Sequence, residues 1–185
     1  MPTNNYIKIG LWLTALLLLA RCAWSMPSGA YGFCSASGEA ISIAFILLIF
    51  YEQWLWKFNP CERKPRLLKK YVGFIQYTFQ GEQSSKLIDV SVTQTCSSVS
   101  IRIATDEITS KSVTSHLALE NGEYVLYYTY ITNPKDAKRD KNPIQYGTCR
   151  LIVDDHSRLH GFYWTTQKTR GDIYFIDPNK KTIEL

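Results

Sequence analysis

Five residues in the C-terminal two thirds of the chain could do chemistry together: Gln94, Tyr128, Tyr130, Tyr163 and Thr165. Each belongs to a series of alternate residues: Val90, Val92 and Gln94; Leu126, Tyr128 and Tyr130; Leu159, Gly161, Tyr163 and Thr165. Val99, Ile101 and Ile103 form a fourth, wholly apolar series. Successive side chains of a strand point to opposite faces, so each series shares one face, whose apolar members turn inward. In three of the four, a polar group extends the inward series toward one end. The five would offer a small ligand aromatic faces, hydroxyls and an amide. Alternation by itself slightly favours a plainer arrangement, tyrosines that only pack with their hydroxyls satisfied.

No catalytic constellation accompanies them. His116, His156 and His160 lack metal-ligand spacing, and there is no GxSxG, Gly-rich phosphate loop or HExxH. Asp154-Asp155 beside His156 reads as an exposed turn. The five cysteines (Cys22, Cys34, Cys61, Cys96, Cys149) have no CxxC spacing and an odd count, so neither a disulfide framework nor a zinc site is expected. Cys96 and Cys149 read as small buried hydrophobes in strands. The expectation is a binding protein rather than an enzyme, with no metal and no cofactor.

The elements that would position these residues are strands. Period-two runs rich in Val, Ile, Thr and Tyr predict strands at about 71–80, 86–94, 99–105, 112–119, 124–131, 144–153, 159–166 and 172–176, with a terminal extension near 182–185. Asn121-Gly122 is a hairpin signal, and Asn133-Pro134 opens a longer charged loop, KDAKRDKNP. About eight short consecutive strands joined by short turns favour a small up-and-down antiparallel β-barrel, which leaves no free sheet edge.

The N-terminal third is of another kind. Apolar runs at 6–24 and 40–56 predict a transmembrane hairpin over 1–56, with helices at about 6–24 and 35–56 joined by the uncharged link 25–34. A secretory signal peptide is the alternative for the first run; the second apolar run, following at once, argues against it. Tyr51, Trp54 and Trp56 suit a membrane interface, with Glu52 and Lys57 reaching headgroups. Arg21 and Glu39 lie at the outer helix ends, where snorkelling is preferred to pairing; Cys22 and Cys34 flank the link and are close enough in sequence to pair.

The linker 57–70 carries Lys57, Arg63, Lys64, Arg66, Lys69 and Lys70 against Glu62, a net charge of +5 that equals the whole chain's. The basic excess therefore belongs to the membrane edge, which argues against binding polymeric nucleic acid and for contact with membrane lipid. The charge asymmetry places the link outside and both termini in the cytoplasm. The fold class expected is a membrane-anchored all-β protein: hairpin, basic linker, and a cytoplasmic barrel over 71–185.

The ordered set VSVTQT (90–95), TSKSVTSHL (109–117), LYYTYITNP (126–134), QYGTCRL (145–151) and LHGFYWTTQKTRGDIYF (159–175) resembles the β-rich domain of the two-transmembrane β-strand-rich effectors of CBASS anti-phage signalling, over both the hairpin and nearly all of the strand region. The resemblance implies a cyclic dinucleotide made by a cGAS/DncV-like nucleotidyltransferase, a cytoplasmic barrel that binds it, and homo-oligomers that damage the bacterial inner membrane. For such a ligand the bases would stack on Tyr128, Tyr130 or Tyr163, and the phosphates would meet Arg170 and the hydroxyls of Thr109, Ser110, Ser112 and Thr165. Gly171 would permit a tight turn beside Arg170. A solvated loop arginine is an equal reading of Arg170, and Ser112 also fits an ordinary strand position. Two other classes remain open: a membrane-tethered, lipocalin-like carrier of an apolar ligand, and a filled barrel whose loop 135–141 binds a partner.

Overall fold

A computed structural model describes residues 3–60, 62–79, 82–135, 143–155 and 158–180. Two units partition the chain: Met1–Glu62 with Thr95–Ser97, and Arg63–Gln94 with Ser98–Leu185.

In the first unit, helix α1 (Thr3–Trp24) and helix α2 (Gly29–Gln53) form a hairpin, and both are long and apolar enough to cross a bilayer. Helix α2 begins six residues before the sequence expectation, taking in residues 29–34 of the expected link, and small residues form its packed seam. Ala36, Ala40 and Ala44 recur every fourth residue and are each 2% exposed, as small-residue helix contacts require. Gly10 of α1 contributes to the same closeness, since a Cβ there would press on Leu48. At the far end Arg21 Nε lies 3.1 Å from Glu39 Oε2, so these residues pair rather than snorkel. Cys22 and Cys34 are free thiols.

Beyond α2 the chain tightens into a 3-10 turn, Leu55–Phe58. Two interface expectations change there. Trp56 is only 1% exposed, with the Lys57 ammonium 5.9 Å from its ring centre. Glu52 grips the turn Thr95–Ser97: its Oε1 accepts from Thr95 Oγ1 (2.6 Å), Ser97 Oγ (2.6 Å) and Ser97 N (3.0 Å), and its carbonyl accepts from Cys96 N (3.0 Å). A carboxylate collects these donors better than water at a headgroup would, because one turn presents them together.

The second unit is a closed barrel of eight antiparallel strands in chain order: β1 (Lys70–Phe79), β2 (Glu82–Gln94), β3 (Val99–Ala104), β4 (Ile108–Glu120), β5 (Glu123–Pro134), β6 (Tyr146–Asp155), β7 (Arg158–Thr165) and β8 (Arg170–Ile176), with β1 pairing β8 to close it. The Asn121-Gly122 turn adopts positive φ at both residues (50° and 90°), as a two-residue hairpin demands. The expected strand near 182–185 and most of the loop 135–141 lie outside the described residues. Between β7 and β8 the left-handed residue is Lys168 (φ 61°), and Gly171 is a strand residue paired with Tyr77 and Tyr163. The turn thus precedes Arg170 rather than following it.

Alternation along β4 breaks at a bulge around Val113, which is exposed. There the backbone pairing to β3 gives way to side chains: Ser112 Oγ accepts from Ile101 N at 2.9 Å, and Ser115 Oγ donates to Val99 O. The barrel interior is graded. Toward one end it is apolar, with Leu126, Leu151, Leu159 and Phe175 fully buried. Residues 65–68 pack across this end: Gln94 accepts from Leu67 N (2.8 Å) and donates to Pro65 O (2.9 Å), while Leu68 N donates to Tyr71 Oη (2.8 Å). Part of the expected membrane-edge linker therefore belongs to the barrel as its plug, because Pro65, Leu67 and Leu68 are apolar among the basic residues.

Candidate functional site

At the other end the inward series turn polar. Followed toward that end, the series reach Lys86 on β2, Thr105 just past β3, Thr132 on β5, Gln145 just before β6, and Thr165 at the end of β7. These enclose a cavity of about 400 Å³, within the size range of small-ligand pockets, to which residues of all eight strands contribute. Tyr130 and Tyr163, each 8% exposed, form aromatic wall, and Tyr77, Ser110, Gln167 and Thr169 also line it. Tyr130 owes its position to Gly147, its partner across β5 and β6, since a Cβ at 147 would overlap the ring.

Burial sets the protonation of the walls. It raises the Tyr130 and Tyr163 hydroxyls far above their ordinary range and pushes the Cys149 thiol up to about 12. All three are neutral at physiological pH, and Cys149 has no thiolate to act as a nucleophile. Thr165 Oγ1 is buried and, among the described residues, meets no hydrogen-bond partner. Lys86 Nζ lies 2.7 Å from Glu107 Oε2, and Gln145 Nε2 lies 3.3 Å from Gln167 Oε1, so two polar bridges join lining residues. Among the described residues no cluster of three metal-ligating side chains occurs.

Of the residues singled out from sequence, Ser110, Tyr130, Tyr163 and Thr165 converge on this cavity. Tyr128 lies one inward step toward the plug, its ring 5.9 Å from that of Tyr130 and its buried hydroxyl beside Cys149. Ser112 is engaged in the bulge, and Gln94 holds the plug with both ends of its amide. Arg170 is exposed on the outer wall opposite Trp164, and Thr109 lines an outer hollow with Arg102, Lys111 and Lys135. That hollow is larger, about 800 Å³, but has neither aromatic wall nor orphaned buried group. Lys86, Glu107, Gln145 and Gln167 escaped the sequence reading. Lys86 had a signal, being in phase with Ile88, Val90 and Val92; Glu107 and Gln167, on turns, had none.

A closed barrel plugged at one end, with a polar and aromatic cavity at the other, defines a small-ligand-binding domain appended to an apolar helical hairpin. The chain belongs to the Cap15 family: the model described as "Cap15, cyclic dinucleotide receptor domain" matches residues 63–176, from the plug to the end of β8. It is 37% identical over 173 residues to CD-NTase-associated protein 15 of Staphylococcus schleiferi, covering 92% of this chain and 94% of that protein.

Proposed function

We propose that the barrel is the sensor of a CBASS effector, binding a cyclic dinucleotide supplied by a cGAS/DncV-like nucleotidyltransferase. The observation that carries this reading is the cavity itself: two tyrosine walls for base faces, and a buried hydroxyl at Thr165, without a partner among the described residues, that a polar ligand would satisfy. The match of the receptor-domain family to residues 63–176 supports it, because those residues include the plug and every strand. The helical hairpin is the output device. It anchors the chain in the bacterial inner membrane as a multi-pass protein with both termini cytoplasmic; ligand binding favours homo-oligomers that disrupt the bilayer and arrest the infected cell. A ligand drives such a change only by preferring the assembled state.

Titration calorimetry of the full chain in detergent tests the sensor, using a panel of cyclic dinucleotides, linear dinucleotides and a fatty acid. Saturable micromolar or tighter binding of one cyclic dinucleotide is expected. Binding of the fatty acid alone would replace the sensor with a lipid carrier. Membrane-impermeant maleimide on intact cells tests orientation: with Cys22 and Cys34 replaced by alanine, a cysteine placed at Ser28 should be labelled from outside.

A further inference from the structure

The cavity has a charge problem that its residues resolve in one way. Among its described lining residues Lys86 is the sole base and Glu107 the sole carboxylate, and they are paired with each other at 2.7 Å. With Arg170 on the outer wall, a phosphate entering the cavity meets no other cationic side chain among those lining residues. We infer that Lys86 is the phosphate contact of the cavity and that Glu107 is its internal counter-ion, a competitor that the ligand's phosphate must displace. This rests on the reading that the cavity takes a phosphate-bearing ligand.

The two partners differ in reach, which makes exchange possible. Glu107 sits in the turn between β3 and β4, fixed by its backbone: its N–H donates to Thr105 Oγ1 at 3.3 Å, and its carbonyl accepts from Lys135 N at 2.9 Å. The turn closes through Thr105 N to Ile108 O at 2.9 Å. Lys86 projects from β2 on a flexible four-carbon stem, its side chain 34% exposed beside Glu107's 35%. A half-exposed pair of this kind adds little to stability. Its position on the cavity wall makes it a filter instead. An uncharged ligand gains nothing by parting Lys86 from Glu107, whereas a phosphodiester replaces one anion by another and keeps the ammonium paired. Discrimination thus comes from a built-in competitor as well as from attraction.

The test is titration of the cyclic dinucleotide panel into the full chain in detergent, comparing wild type with Lys86→Met and Glu107→Gln. The expected result is opposite signs: Lys86→Met weakens binding about tenfold or more, as loss of a charge-assisted hydrogen bond does, and flattens its salt dependence. Glu107→Gln tightens binding about threefold. A pair that only braces the rim predicts the same sign for both, and that outcome, or unchanged affinity in both, overturns the inference while leaving the sensor intact. Wild type that binds no member of the panel overturns the sensor and this inference together. If Lys86→Met fails to fold, the sign of the Glu107→Gln effect decides alone.

Discussion

At the scale of single residues, the cavity contains a cost that a ligand would remove. The buried Thr165 hydroxyl has no partner among the described residues, and an unmet polar group of this kind costs roughly 1–3 kcal/mol. Thr165→Val keeps the shape and deletes the group. It should raise stability by about 1 kcal/mol in chemical denaturation and weaken cyclic dinucleotide binding about tenfold in calorimetry; a variant less stable than wild type would contradict the assignment. Much of this site was readable beforehand. Tyr130, Tyr163 and Thr165 follow from two-residue alternation, and Lys86 lies on the same phase as Val90. Arg170 did not reveal its direction, because the turn was placed at Gly171 instead of Lys168; once β8 starts at Arg170, the buried Ile173 and Phe175 put Arg170 on the outside.

At the scale of elements, the strands depend on side chains where their backbone ladder lapses. Ser112 serves Ile101 N–H within the β4 bulge, so Ser112→Ala leaves a strand donor unmet and should cost about 1–2 kcal/mol of barrel stability, measured by urea unfolding. Alkali attacks the same walls through burial. The Cys149 thiol rises from 9.0 to about 12 on burial, so between these values the unfolded chain loses a proton that the folded barrel keeps. The contribution of this thiol is therefore fully present below pH 9 and is lost as pH rises toward 12, on the order of 4 kcal/mol. In Cys149→Ala the fall should begin about one pH unit later, where buried tyrosines take over; unfolding curves between pH 8 and 11 distinguish the two.

At the scale of the whole molecule, the boundary between units is not the boundary between helices and strands. The turn Thr95–Ser97 lies between two barrel strands in sequence, yet belongs to the helical unit through Glu52. Glu52→Ala removes the acceptor of three of its hydrogen bonds, so amide exchange at Ser97 should accelerate about tenfold or more in hydrogen-exchange mass spectrometry, with the hairpin amides unchanged. The sequence by itself determined the order of parts, the two apolar helices, eight strands and the inward phase of most of them. Those properties follow from composition and period over a few neighbouring residues. Only the tertiary structure decided which end of the barrel is plugged and which is open, where β4 bulges, that Gln94 serves the plug, and that Lys86 meets Glu107. Each depends on residues far apart in the chain arriving together, and no local pattern encodes that meeting.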